Sequence, residues 1–146
     1  MTTIEAFSGA KVALFIGDKL LITLRDDFDH IPFPDVWDFP GGAREPGETP
    51  EETLAREVME EVGLTIPPAA FLWKRRFPAN YAPGAFVWFF VAALPAGTED
   101  QIVFGDEGQG WTLIPLDDFL SLDRVVPSFA PRLRIWLAEG GEVPTA

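Results

Sequence analysis

A chain of 146 residues, 47% apolar and 13% aromatic, is long enough for one domain with a real core, since this length buries roughly 68–70% of the unfolded surface. It contains no cysteine, which excludes disulfides, zinc–thiolate centres and thiol nucleophiles. A net charge of −12 argues against a nucleic-acid backbone or an anionic membrane as direct partner, yet admits an anionic ligand if a divalent cation mediates.

The opening "MTTIEAFSGA" has no basic n-region and no long apolar run, and the longest apolar run, 85–94, is about half the ~20 residues that cross a bilayer. A soluble cytoplasmic protein is the expectation. "SGAKVALFIGDKLLITLRD" then reads as two strands joined at Gly17-Asp18, with aliphatic and β-branched residues flanking a hairpin turn. "DFDHIPFPDVWDFPGG" is too rich in Pro and Asp to be regular, apart from a short strand at "VWDF". Pro40-Gly41-Gly42 reads as a turn that permits positive φ and close backbone approach, either as an ordinary tight loop or as one that turns a carbonyl towards a site.

Thr49 carries concordant helix-start signals: a hydroxyl N-cap, Pro50 at the first helical position and Glu52 to complete a capping box. The helix is expected to run to about Val62, with Gly63 as its left-handed stop. "AFLWKRRF" and "AFVWFFVAAL" read as strands, the second apolar on both faces and so central in a covered sheet. Lys74, Arg75 and Arg76 read as a solvated strand face, with at most one of the two arginines directed at a cleft. "GWTLIPL" is a further strand, "LDDFLSL" a short helix, and "FAPRLRIWLAEG" a helix closed by Gly140 and Gly141. This mixture predicts a sheet covered on both faces, of the α/β or α+β layered class.

Acid is unevenly placed: residues 26–61 hold twelve of the 23 Asp and Glu but only Arg44 and Arg56 as basic residues. On the predicted helix Glu57, Glu60 and Glu61 fall at i, i+3 and i+4, one face, where like charges cost a few tenths of a kcal/mol per pair. Leu54, Val58 and Val62 form the apolar stripe that would pack on the sheet. The helix has no lysine to offset its acids, so the cluster is better explained by a cation that the sequence does not supply, Mg²⁺ or Mn²⁺ on oxygen ligands, than by a merely solvated face. Arg56 has Glu48 and Glu52 within reach and reads as structural, holding the preceding loop against the helix.

These residues resemble the Nudix hydrolase family. Its box, G-x5-E-x7-R-E-U-x-E-E-x-G-U with U aliphatic, is matched at every fixed position by Gly42, Glu48, Arg56, Glu57, Val58, Glu60, Glu61, Gly63 and Leu64. Nine specified positions over 23 residues make the match very specific, and "WDFPGG" resembles the usual lead-in. The resemblance implies an α/β/α sandwich with a mixed sheet, as a single domain over 1–146, and divalent-metal-dependent hydrolysis of a nucleotide pyrophosphate bond by water attack on phosphorus. Glu57, Glu60, Glu61 and the Gly42 carbonyl would be metal ligands, with Glu57 as the base and Glu60 second choice. Glu107, in "FGDEGQGW", would add a ligand as in MutT-like members. Glu48 and Arg56 would be structural supports.

The substrate is less determined. Arg25 lies where MutT-like proteins place basic residues near phosphates, or is an ordinary strand-end arginine. Phe129 replaces the asparagine by which MutT is thought to read a purine; it would stack on a base or belong to the core, and either way it puts oxidised-guanine specificity in doubt. Pro78 and Tyr81 lie near positions associated with ADP-ribose and dinucleoside polyphosphate hydrolases. The expected partner is a small nucleotide, a nucleoside triphosphate or a modified one, and not nucleic acid or membrane; the assembly is expected to be a monomer or homodimer. A nucleotide sensor without catalysis is the rival from another class, and the intact box glutamates count against it.

Overall fold

The computed structural model of the protein describes residues 6–79 and 83–146; Tyr81 lies outside them. β1 (Gly9–Ile16) and β2 (Lys19–Leu24) form the expected hairpin, with Gly17 at φ 62°. β1 also runs parallel to β6 (Phe86–Leu94), so the sheet is mixed. β5 (Phe71–Pro78) pairs antiparallel with β6, β7 (Gly110–Pro115) with β2, and β3 (Trp37–Asp38) with β2, all within one seven-stranded sheet.

Alternation along β1 and β6 explains why both faces of the sheet are covered. Val12, Leu14, Phe90 and Ala92 pack on α1 (Pro50–Val62), while Ala13, Phe15, Phe89 and Val91 pack on the opposite side against α2 (Leu116–Leu120) and α3 (Phe129–Ala138). Each strand supplies apolar side chains to two layers, which is the reason its sequence is continuously hydrophobic. The result is the α/β/α sandwich.

One element departs from expectation. The glycine turn is a strand, β4 (Gly41–Ala43), antiparallel to β1 with Gly42 opposite Ala10 and Gly41 opposite Lys11. Gly41 has φ 133°, and a Cβ there would lie 2.1 Å from the Ala10 carbonyl oxygen. The glycines are therefore required by how closely two backbones meet, and the pairing gives the segment a fixed register.

α1 begins as its sequence dictates. The Thr49 hydroxyl accepts from the Glu52 N–H, and the Glu52 carboxylate accepts from the Thr49 N–H. Gly63, at φ 68°, closes it by donating to the Met59 carbonyl. Two carbonyls that this end would leave without partners are satisfied by the loop before β7: Val103 N–H donates to Val62 and Gly105 N–H to Glu61. The last turn of α1, which carries Glu60 and Glu61, is thereby clamped.

Candidate active site

β3 and β4 reach the site through a buried carboxylate. Asp38, 5% exposed, accepts from the Phe39 N–H on one oxygen, and on the other from Lys11 Nζ at 3.0 Å and Arg25 Nη1 at 2.9 Å. Lys11 further donates to the carbonyls of Phe39 and Gly41, each at 3.2 Å. One lysine from an otherwise apolar strand thus fastens the 38–41 segment to β1.

Gly41, so held, donates its N–H to Glu61 Oε1 at 3.1 Å. Burial pushes the Glu61 carboxyl up to about 7; the Lys11 charge and the Gly41 N–H oppose this, and the negative charges of Asp38 and Glu57 add to it. On the next residue, Gly42, a Cβ would lie 2.5 Å from Glu57 Cδ, so the Glu57 carboxylate lies directly against the glycine backbone. The two box glutamates therefore bracket the glycine pair, one held by an N–H and the other in the space that a side chain would take.

Arg56 organises the remaining acids. Its guanidinium makes a two-point contact with Glu48, at 2.8 and 3.0 Å, and also reaches Glu57 Oε1 at 2.9 Å and the Ala43 carbonyl at 2.8 Å. Glu45 and Glu60 are at 3.5 and 3.6 Å. The Arg56 hydrogen bond, aided by the Glu45 N–H and the Thr53 hydroxyl, lowers the Glu48 carboxyl to about 2. This corrects two expectations. Glu52 does not pair with Arg56, because the capping box already engages it, and the acid cluster is not uncompensated, because one arginine contacts four of its carboxylates. Lys74, read as part of a solvated strand face, pairs across to Glu51 of α1 at 2.8 Å. Arg75 pairs with Glu139, and neither Arg75 nor Arg76 lines the grooves described next.

Two grooves open beside these carboxylates and share Arg25 and Asp38. One, of ~340 Å³, is lined by Glu61, Glu107 and the loop from Asp26 to Ile31. The other, of ~600 Å³, extends from Lys11 and Gly42 to Arg132 of α3. Glu107 is exposed and shares the first groove with Glu61. Glu60 keeps 58% of its side chain exposed. Among the described residues no three His, Asp or Glu side chains already converge as a cation cage. The donors at hand are nevertheless carboxylate and carbonyl oxygens, the set that hard divalent cations prefer.

Both candidate substrate contacts have partners within the protein. Arg25 directs Nε to the carbonyls of Pro32 and Phe33 and Nη1 to Asp38, so it is tied to the loop that walls the grooves. Phe129 is 2% exposed and stacks on Phe39 at 4.5 Å, with Phe89 at 6.0 Å. Its ring belongs to the core, and the residue also borders the larger groove. Lys11, Asp38 and Arg132 escaped the sequence reading; the signal available for the first two was a lone charge within each short apolar strand.

The layered fold and the paired glycine and glutamate segments define a Nudix-type site. The chain matches the NUDIX domain over residues 8–137 and belongs to that family. The 8-oxo-dGTP diphosphatase of Escherichia coli (strain K12) is 36% identical over 112 residues, 70% of this chain and 78% of that protein. The NAD-capped RNA hydrolase NudC of Stutzerimonas stutzeri (strain A1501) is 34% identical over 100 residues, but the match spans 55% of this chain and only 35% of that protein. Among solved structures, the MutT protein from Methanosarcina mazei Go1 superposes with a TM-score of 0.72 at 19% identity, covering 97% of this chain and 100% of that one. A bifunctional NMN adenylyltransferase/ADP ribose pyrophosphatase from Francisella tularensis, complexed with AMP and a Mn ion, gives 0.75 at 20% identity over 97% of this chain and 44% of that one. At these identities the two structures establish the shared fold.

Proposed function

We propose that the protein is a divalent-metal-dependent nucleotide pyrophosphohydrolase, acting on nucleoside triphosphates or modified ones through water attack on phosphorus. The observation that carries this reading is the placement of Glu57 and Glu61 on either side of Gly41-Gly42, at the edge of two grooves large enough for a nucleotide. The kinship with a nucleoside triphosphate diphosphatase over most of the chain supports it.

In this reading Glu57, Glu60, Glu61 and the Gly42 carbonyl hold Mg²⁺, with Mn²⁺ able to replace it, and Glu107 completes the set from the loop before β7. The cation supplies neutralisation of the pyrophosphate charge and lowers the pKa of water. Glu57 takes the proton from the attacking water, because Arg56 and Gly42 fix its orientation; Glu60 is the second choice for that role. Lys11 and Arg25 keep the glycine segment and the groove wall in place. The chain acts as a single domain, monomeric or homodimeric, on a small nucleotide in the cytoplasm, and no helix among the described residues is long and apolar enough to cross a membrane.

The test is a panel of nucleoside triphosphates, nucleotide sugars and dinucleoside polyphosphates, each incubated with the protein and Mg²⁺ or Mn²⁺. Release of a nucleoside monophosphate and pyrophosphate from triphosphates is expected. Cleavage confined to the other two classes would move the substrate assignment, and tight nucleotide binding with no cleavage of any would replace the enzyme by a sensor.

A further inference from the structure

Glu107 is exposed, and among the described residues no hydrogen bond or ion pair engages its carboxylate. Its place in the ~340 Å³ groove with Glu61 is therefore set by the backbone that carries it. That backbone is fastened at both ends. At the start of the loop, the Val103 and Gly105 N–H groups bond the carbonyls of Val62 and Glu61, so this end is joined to α1.

At the other end the bonds run to the segment that follows β2. Gly108 N–H donates to Asp26 Oδ2 at 3.0 Å, and Gln109 N–H donates to the Leu24 carbonyl at 2.8 Å. Gln109 Nε2 donates to the Arg25 carbonyl and to Asp35 Oδ1, each at 2.8 Å, which uses both donors of its amide. Gly108 has φ 92°, and a Cβ there would lie 3.0 Å from the Leu24 carbonyl oxygen. The turn is thus closed tightly on β2, with its N–H directed at Asp26.

The Leu24 bond extends the β2–β7 ladder, whose register pairs Leu24 with Gly110. Strand pairing accounts for it without any reference to the site. The Asp26 and Gln109 side chains add what the ladder does not supply, because they hold the residues just beyond its end, within two positions of Glu107. Their own support is firm. Asp35 sits at φ 56°, a left-handed conformation that a non-glycine residue keeps only where its surroundings hold it. Its N–H donates to the Asp26 carbonyl at 3.0 Å, and Arg124 bonds both its carboxylate and its carbonyl.

We propose that Asp26 and Gln109 are positioning residues that hold Glu107 beside Glu61, so that the loop before β7 delivers a cation ligand from a fixed place. The inference rests on the reading of Glu107 as a ligand, and the experiment separates the failure of one from that of the other.

That experiment is Mn²⁺ titration of the full chain, followed by electron paramagnetic resonance with a non-hydrolysable nucleoside triphosphate present and arranged as a double-mutant cycle. Glu107→Gln should weaken Mn²⁺ binding at least ~10-fold, and Gln109→Ala by about 10-fold, the usual scale for losing a group that orients a ligand. The two together should cost no more than Glu107→Gln alone, since Gln109 then has nothing left to position. Additive losses would make Gln109 merely structural and overturn the proposal. Asp26→Ala should match Gln109→Ala, whereas Asp26→Asn, which keeps an acceptor for the Gly108 N–H but no charge, should retain most of the affinity. Equal losses in Asp26→Asn and Asp26→Ala would mean that the charge itself attracts the cation, and would overturn the role given to Asp26. Unchanged Mn²⁺ binding in Glu107→Gln sinks the ligand reading and the proposal with it; a loss there with none in Gln109→Ala or Asp26→Ala sinks the proposal alone. Hydrogen exchange on the unaltered protein needs no variant to fold: the Gly108 amide should exchange at least ~10-fold more slowly than an unprotected amide, and exchange at the unprotected rate overturns the proposal.

Discussion

Along α1, Leu54, Val58 and Val62 are fully sealed against the sheet, while Glu60, on another side of the same helix, leaves 58% of its side chain in water. The apolar side is fixed by periodicity and each large residue contributes about 1.5–3 kcal/mol by burial. The acidic side works against the helix by only a few tenths of a kcal/mol per like-charged pair. The difference in scale explains how a helix tolerates a face arranged for something other than its own stability. Arg56, which contacts four carboxylates, reduces that repulsion further and aims Glu57.

The sharpest way to separate the two sides is to remove charge from one and volume from the other. Glu57→Gln and Glu61→Gln are expected to lower turnover on the best nucleotide at least ~100-fold, the first with a melting temperature close to that of the unaltered protein and the second, which removes a buried carboxylate, with one no lower. Leu54→Ala should do the opposite: a loss of about 2–5 kcal/mol in urea denaturation, with activity per folded molecule retained. If Leu54→Ala abolished activity without destabilising, the division between the sides would be wrong.

Titration of the metal-free protein gives a smaller effect with a definite sign. Glu61 has its folded pKa raised from 4.5 to about 7, chiefly by burial. The folded chain then holds a proton that the unfolded one has released, so stability should fall as pH rises from 4.5 to 7, by on the order of 3 kcal/mol at most. Glu61→Gln should flatten that slope. Glu48, lowered to about 2 chiefly by Arg56, acts in the other direction, contributing stability above pH 4.5 that is lost as pH falls towards 2. From these two groups alone, metal-free stability is greatest near pH 4.5, and Glu48→Gln should weaken the acid limb seen in thermal melts. The smallest effect belongs to the exposed Lys74–Glu51 pair, where Lys74→Met should cost under ~1 kcal/mol by the same measurement.

Local chemistry made α1 legible in full, because Thr49, Pro50, Glu52 and Gly63 each act on their immediate neighbours. The strands were legible from their apolar runs, and the layered class followed. β4 was not, since two glycines announce a turn unless the approach of β1 is known. The same limit holds for the site. Grouping of acids on α1 is a matter of helical spacing, whereas the Lys11–Asp38–Arg25 cluster joins residues up to 27 apart in sequence through the pairing of strands. Arg25 and Phe129 were each read two ways, as a ligand contact or as a structural residue; loop carbonyls and Asp38 engage the first, which lines both grooves, and the Phe39 ring stacks on the second. Arg132 was hidden for a related reason: a charged residue inside an amphipathic helix looks solvated until the strand that buries it is in place.

The central claim is that the acidic side of α1 holds the cation, and it is tested most directly by Mn²⁺ titration, followed by electron paramagnetic resonance, with a non-hydrolysable nucleoside triphosphate present. Glu57→Gln and Glu61→Gln should each weaken Mn²⁺ binding at least ~10-fold, while Glu51→Gln, on the same helix but paired with Lys74, should leave it unchanged. Equal Mn²⁺ affinity in all three variants and the unaltered protein would contradict the account.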